Sequence, residues 1–333
     1  LQRVFPGHFF LVSCMNKNKM KETFQPYYKD RDIPSILTSI RKGNNEVAHP
    51  PFLKRPFGIH RTFFTEAGFE RDYLRYMRLP MPLSRALHTT FPDTIQIFYK
   101  RRGVGTSFMG RLSPGDKINV IGPLGSPIDI NKLLTHYDSF LLIGGGTGMA
   151  PLIFLVQAFR YYNMKVTAFI GIDSFKNLKH RDPHARSYTE STESVYIYVD
   201  DLKEVGLDKE EIYVSIEEGD TDEVAKLSGI PTSNVFKGFV SKQFELYISG
   251  APTAERSCVI ACGPKAMLEA IYKTTKERRI NLKVFLERPM ACGVGVCLSC
   301  VLEMRDPTGN RTYKKVCTDG PIFDANEVIW NSD

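Results

Sequence analysis

No nucleic-acid-binding motif is read along the 333-residue chain, so a nucleic-acid role is not expected. The net charge of +7 is mildly basic and fits a solvated surface. There is no internal repeat and no low-complexity tract, which excludes solenoid and linker-like architectures. No segment reads as a membrane span. The charge-free stretch from Ser139 to Phe159 has about the 20 residues a spanning helix needs. Its middle, however, is Gly144, Gly145, Gly146, Thr147 and Gly148, with Pro151 just beyond. Adjacent glycines cost a helix roughly 1 kcal/mol each relative to alanine, so a buried strand, a tight turn and a helix account for it better. A secretory signal is not expected at this opening either. Leu1 runs into Phe9-Phe10-Leu11-Val12, which is too short and too poorly flanked for one. That opening resembles a strand joined in progress, and the expectation is that further residues precede Leu1.

A disulfide framework is missing too. The cysteines are Cys14, Cys258, Cys262, Cys292, Cys297, Cys300 and Cys317, an odd number with four crowded near the C-terminus. Clustered thiols in a sizeable chain point to a reducing compartment and a metal, with the cytoplasm as the expected location.

Three regions can be distinguished. Residues 1–133 carry short apolar runs (Phe9–Val12, Ile95–Tyr99, Lys117–Ile121) between Pro-Gly and Gly-Pro steps and read as all-β. Within them, 15–51 and 61–92 look like insertions between strands. Residues 134–280 alternate strands and helices. Strands are expected at Ser139–Ile143, Val166–Ile170, Val195–Val199, Ile212–Ile216 and Ser257–Ala261, and helices at Ala150–Tyr161 and Lys265–Lys276. That alternation predicts a doubly wound parallel α/β sheet, with a charged insertion over 176–193. Residues 281–333 form a unit too small to hold a core unaided, which calls for a metal or for packing onto the rest.

The most specific motif is Cys292-Gly293-Val294-Gly295-Val296-Cys297-Leu298-Ser299-Cys300, followed by Cys317. C-x4-C-x2-C with a distant fourth cysteine is the plant-type [2Fe-2S] spacing. Gly293 and Gly295 let the loop bend and turn amide N–H groups toward sulfur. Paired C-x2-C knuckles would favour zinc, and here the first interval is four residues. Zinc and unligated thiols remain the alternatives. The second motif, Leu141-Leu142-Ile143-Gly144-Gly145-Gly146-Thr147-Gly148-Met149, is a strand, a glycine turn and a helix start, which aims N–H groups and a helix dipole at a pyrophosphate. It is not G-x-G-x-x-G, and a purely structural turn would read the same. Ala261-Cys262-Gly263-Pro264 repeats the arrangement, and two such turns in one sheet delimit a nucleotide cleft. Arg55-Pro56-Phe57-Gly58 and Gly105-Thr106 offer phosphate-binding groups, but taken alone each reads more readily as an ordinary turn.

In order and spacing these segments resemble the ferredoxin-reductase superfamily and, within it, the electron-transfer subunits of class 1B dihydroorotate dehydrogenase. The resemblance runs through Pro6-Gly7-His8-Phe9, Arg55–Gly58, Gly105-Thr106, Pro114-Gly115-Asp116, Gly122-Pro123-Leu124-Gly125, Gly144–Pro151 and Cys262-Gly263-Pro264. Its most specific part is the tail: Glu287, Met290–Gly293, Val316-Cys317-Thr318-Asp319-Gly320-Pro321-Ile322-Phe323 and Trp330. It implies a β-barrel FAD domain over 1–133, an NAD-binding α/β domain over 134–280 and a small [2Fe-2S] domain over 281–333. It further implies FAD contacts from Arg55, Pro56, Phe57, Gly58, Phe98, Tyr99, Lys100, Gly105 and Thr106. Cluster ligation falls to Cys292, Cys297, Cys300 and Cys317. Gly58 stands where the family usually has serine, the insertions lengthen the chain, and the barrel's first strand is absent before Phe5. The implied partner is an FMN-containing dihydroorotate dehydrogenase catalytic subunit in a heterotetramer, with electrons passing through the cluster and FAD to NAD+. Related readings are a ferredoxin:NADP oxidoreductase or sulfide dehydrogenase subunit, or, in another class, a flavin-binding redox sensor. Asp173, at the end of the second sheet strand, favours NAD(H) over NADP(H) because a carboxylate repels a 2′-phosphate.

Overall fold

The computed structural model describes residues 7, 9–12, 55–58, 61–63, 94–99, 106, 109–112, 116, 118, 120–175, 179–180, 195–196, 198–250 and 256–330. Its N-terminal strands are Phe9–Val12 (β1), Arg55–Gly58 (β2), Arg61–Phe63 (β3), Thr94–Gln96 (β4) and Val120–Leu124 (β5). β1 pairs antiparallel with β2 and with β5, and β3 pairs with β4. After β5, Asp129 caps helix Ile130–His136 (α1) by accepting from Lys132 N–H at 3.0 Å.

The chain then alternates. Ser139–Gly145 (β6) leads through a short turn into Met149–Tyr161 (α2), and Lys165–Ser174 (β7) follows. Next come Lys179–His180 (β8), Val195–Tyr196 (β9), Val199–Glu204 (α3), Ile212–Glu218 (β10), Thr221–Ser228 (α4), Val235–Lys237 (β11) and Val240–Gly250 (α5). Ser257–Cys262 (β12), Lys265–Glu277 (α6) and Asn281–Phe285 (β13) complete the alternation. The tail adds hairpin strands Val301–Arg305 (β14) and Arg311–Lys315 (β15), the turn of helix Val316–Asp319 (α7) and Ile322–Asp324 (β16).

The main sheet has seven strands in the order β11-β10-β7-β6-β12-β13-β16. All neighbours are parallel except the β13–β16 pair. Buried residues on these strands separate by strict alternation. Phe140, Leu142, Val166, Ala168, Ile170, Val214, Cys258 and Ile260 join α2 and α3 in one core. Leu141, Ile143, Phe169, Val259, Ala261, Leu282 and Val284 join α5 and α6 in the other. A sheet covered on both faces needs apolar residues at every position, which explains why its strands read as continuous apolar runs. The charge-free stretch from Ser139 is therefore β6 and α2. Among the described residues no helix is long and apolar enough to cross a membrane.

The segment expected as strand Val195–Val199 differs. Its first two residues form β9, which pairs with β8 outside the main sheet, and α3 already begins at Val199. Tyr198 between them has φ +71, where no strand can continue. Asn281–Phe285, placed by the sequence reading at the start of the tail, runs as the parallel strand beside β12. The tail is thus joined to the sheet at both ends, through β13 and β16. Its own small core, Met290, Cys300, Met304, Val316, Cys317 and Phe323, takes in Phe9 of β1.

Candidate functional site

Two features stand out: a thiol cradle in the tail and a cleft at the carboxyl ends of the central strands. From β6 the chain winds outward through β7, β10 and β11, then returns to the other side of β6 as β12. The gap between β6 and β12 is the topological switch point, where open α/β sheets bind ligands. Both glycine turns stand there, because Cys262 is in register with Gly144. They touch through their backbones. A Cβ on Gly148 would collide with the Cys262 carbonyl group, and one on Gly263 would lie 3.1 Å from Gly145 Cα. α2 and α6 start at these turns with no side-chain cap. Helix starts placed directly after tight turns at a switch point are an arrangement suited to a phosphate. Gly146 and Thr147 are exposed at its mouth. Asp173 is exposed at the end of β7 and accepts from Ser174 N–H at 2.8 Å, with Glu218 in register beside Ser174.

Of the flavin candidates, Arg55, Pro56, Phe57 and Gly58 form β2, while Phe98, Tyr99 and Thr106 are half-buried. Lys100 and Gly105 lie outside the described residues. A residue that sequence reasoning missed joins the two regions. Tyr198 is buried, meets Phe98 edge-on at 5.2 Å, and has its phenol pKa pushed up by burial, then by the Asp201 carboxylate and Cys262. No local pattern marks it, because it follows the 176–193 insertion.

In the tail, the loop after β13 folds around sulfur. Cys292 Sγ accepts from the N–H groups of Val294 and Cys297, each at 3.4 Å. These bonds hold its pKa below the usual thiol range. Cys297 is held down at about 6, chiefly by the Ser299 hydroxyl at 3.2 Å and the Ser299 N–H. Ser299 Oγ in turn accepts from Ala291 N–H at 3.1 Å, which closes the loop. Gly295 at φ +81 packs against Thr318, where a Cβ would approach the Thr318 methyl at 3.0 Å. Cys300 and Cys317 are each 2% exposed. Burial pushes Cys317 up to about 11, its contact with the Cys300 thiol adds to this, and the Gly295 N–H opposes it.

The four thiols thus form two contacting pairs, Cys292 with Cys297 and Cys300 with Cys317. N–H groups of Val294, Gly295, Val296, Cys297 and Ser299 point at them. Soft thiolate donors in an N–H-lined cradle suit an anionic iron–sulfur cluster. Two thiols per pair match the two ligands each iron of a binuclear cluster requires. Among the described residues, no three His, Cys, Asp or Glu side chains stand close enough to hold a single metal ion. Cys258 and Cys262 lie in β12, apart from this set.

Residues 287–329 match the family model described as the iron-sulfur cluster binding domain of dihydroorotate dehydrogenase B. The electron transfer subunit of dihydroorotate dehydrogenase B (NAD+) from Clostridium perfringens is 32% identical over 236 residues, covering 71% of this chain and 76% of that protein. Its namesake from a Geobacillus species is 30% identical over 253 residues, covering 76% and 80%. A solved NADH-dependent reduced ferredoxin-NADP oxidoreductase superimposes with a TM-score of 0.59 over 98% of this chain and 80% of that one, at 18% identity. The fold is therefore that of the ferredoxin-reductase-like oxidoreductases. Within that class, the chain belongs to the family of dihydroorotate dehydrogenase B electron transfer subunits.

Proposed function

We propose that this chain relays electrons between a partner enzyme that oxidises dihydroorotate and NAD(H), by way of a [2Fe-2S] cluster and an FAD held by its own residues. Its relatives are named as electron transfer subunits of an NAD+-linked dihydroorotate dehydrogenase, which supplies the substrate. The observation that supports the reading in this chain is the pairing of four thiols inside a ring of main-chain N–H groups.

In this reading Cys292 and Cys297 hold one iron and Cys300 and Cys317 the other. Arg55, Pro56, Phe57, Gly58, Phe98, Tyr99, Lys100, Gly105 and Thr106 contact FAD on an N-terminal β-barrel. Gly144, Gly145, Gly146, Thr147 and Gly148, with Cys262, Gly263 and Pro264, bind the nicotinamide nucleotide. A nicotinamide exchanges two electrons as a hydride and a [2Fe-2S] cluster takes one at a time, and flavin bound between them supplies the conversion. The chain's own contribution is placement and charge. N–H groups of the thiol loop stabilise negative charge on sulfur. The starts of α2 and α6 hold a pyrophosphate at the switch point, and Asp173 disfavours a 2′-phosphate. No side chain has to act as acid or base in such a relay. The partner is the FMN-containing catalytic subunit in a heterotetramer, and the compartment is the cytoplasm.

The test is to purify the native complex and measure its metal, flavin and activity. About two irons and two acid-labile sulfides per chain are expected, with dihydroorotate-dependent reduction of NAD+ that neither subunit gives alone. A zinc-loaded chain without sulfide, or an isolated chain that oxidises dihydroorotate, contradicts the proposal.

A further inference from the structure

The fourth thiol, Cys317, is not carried by the loop that bears the other three, so its position has to be fixed from elsewhere. Toward the loop, Val316 N–H donates to the Cys300 carbonyl at 3.1 Å. Toward the N-terminal region, Gly125 N–H donates to the Cys317 carbonyl at 3.1 Å and Ser126 N–H to the Gly320 carbonyl at 2.6 Å. Ser126 also forms a parallel bridge with Pro321. Gly125 directly follows β5, which pairs with β1. The segment that bears Cys317 is therefore hydrogen-bonded, main chain to main chain, to the β region that includes the flavin candidates Arg55–Gly58.

The contact tolerates no side chain. Gly125 has φ +88, and a Cβ there would lie 2.9 Å from the Gly320 oxygen, 3.0 Å from Phe9 Cε1 and 3.1 Å from Pro321 Cδ. Phe9, at 5% exposure, closes the same wall and shares a core with Cys300 and Cys317. Strain and collision together make glycine the residue this position requires.

We propose that Gly125 is a positioning residue for Cys317: its amide and its missing side chain fix the fourth ligand, and with it the cluster, relative to the flavin region. This rests on the reading of Cys317 as a cluster ligand. Ligand placement and hydrogen bonding around the sulfurs tune a cluster's reduction potential and signature. A displaced ligand segment also alters the register between two redox centres, which a static scaffold otherwise holds.

The experiment is Gly125→Ala in the full chain, set against the unaltered protein. The reduced-state EPR spectrum should shift, and NADH-driven cluster reduction should slow by about tenfold or more. NADH-to-dye reduction, which reports the flavin and nucleotide sites, should remain as the folding control. An unchanged EPR spectrum with an unchanged rate of cluster reduction overturns the proposal. Should Gly125→Ala lose the dye activity as well, Ser126→Pro removes the second donor without adding bulk at Gly125, and the same two readouts decide. Acid-labile sulfide in the unaltered protein separates the two layers of the argument. Its absence overturns the cysteine reading, whereas its presence with an indifferent variant overturns only the role of Gly125.

Discussion

Burial decides what each thiol of this chain can do. Cys258 is fully buried in β12, and desolvation pushes its pKa up to about 12, the nearby Lys283 only partly opposing this. Cys297 is exposed, and Ser299 holds it at about 6. At pH 8 the native protein should therefore leave Cys258 and Cys262 unmodified by an alkylating reagent that labels both once the chain is unfolded. The same shift has a signed effect on stability. An unfolded thiol titrates near 9.0 and the folded one near 12, so the unfolded state loses its proton first as pH rises. The stability Cys258 contributes is complete below about 9 and is lost progressively up to about 12. Denaturant midpoints should fall between pH 8 and pH 11, and by less in Cys258→Ala; equal falls in both proteins would refute the assignment. The nearness of Cys292, Cys297 and Cys300 is legible in the sequence, since spacing on a short loop is a local property, whereas Cys317 comes from outside that loop. Tyr198 was not legible: its place beside Phe98 depends on the path of a whole segment.

At the scale of elements, legibility followed burial. β6, β7, β10 and β12 are covered on both faces, so their apolar runs announce them. β11 is only three residues long, half-buried to exposed, and reads as loop. Its place is fixed by side chains far apart in the chain. Gln243 on α5 donates to the Asn234 carbonyl at 2.8 Å and accepts from the Ser215 hydroxyl at 2.7 Å. Asn234 donates to the carbonyls of Glu210 and Ile212, each at 3.1 Å. This buried network ties β10, β11 and α5 together, and each group in it has a partner. Gln243→Leu keeps the approximate bulk while stranding a buried hydroxyl and a buried carbonyl, a change that costs about 1–3 kcal/mol. Urea denaturation should register that loss. Because the network lies at the β11 edge of the sheet, away from the switch point, NADH-to-dye activity at low denaturant should be retained. A variant as stable as the parent would show the network to be dispensable.

At the scale of the molecule, the sequence reading expects three regions and does not say how they join. Pairing of β13 with β16, and of Ser126 with Pro321, is non-local, and no residue pattern encodes it before the chain has folded. The joined arrangement leaves one face with a distinctive surface. Around the thiol loop Val294 is 55% exposed, Val296 79%, Leu298 61% and, on the neighbouring hairpin, Tyr313 70%. At such exposure these side chains leave much of their apolar surface in solvent, which covering the thiols alone would not require. Large apolar side chains gathered at a redox site mark a contact surface. A one-electron relay is useful only where its cluster meets a second centre, so the proposed flavin-bearing partner is the occupant that fits. Specific interfaces bury about 800 Å² on each partner and concentrate their energy in a few apolar anchors. Val296→Asp sets a charge at the most exposed of these positions without touching the switch point. NADH-to-dye reduction should survive it, whereas co-purification with the partner and dihydroorotate-dependent reduction of NAD+ should both be lost. Should the complex persist with Val296→Asp and with Leu298→Asp, the partner binds elsewhere and the exposed loop requires a different explanation.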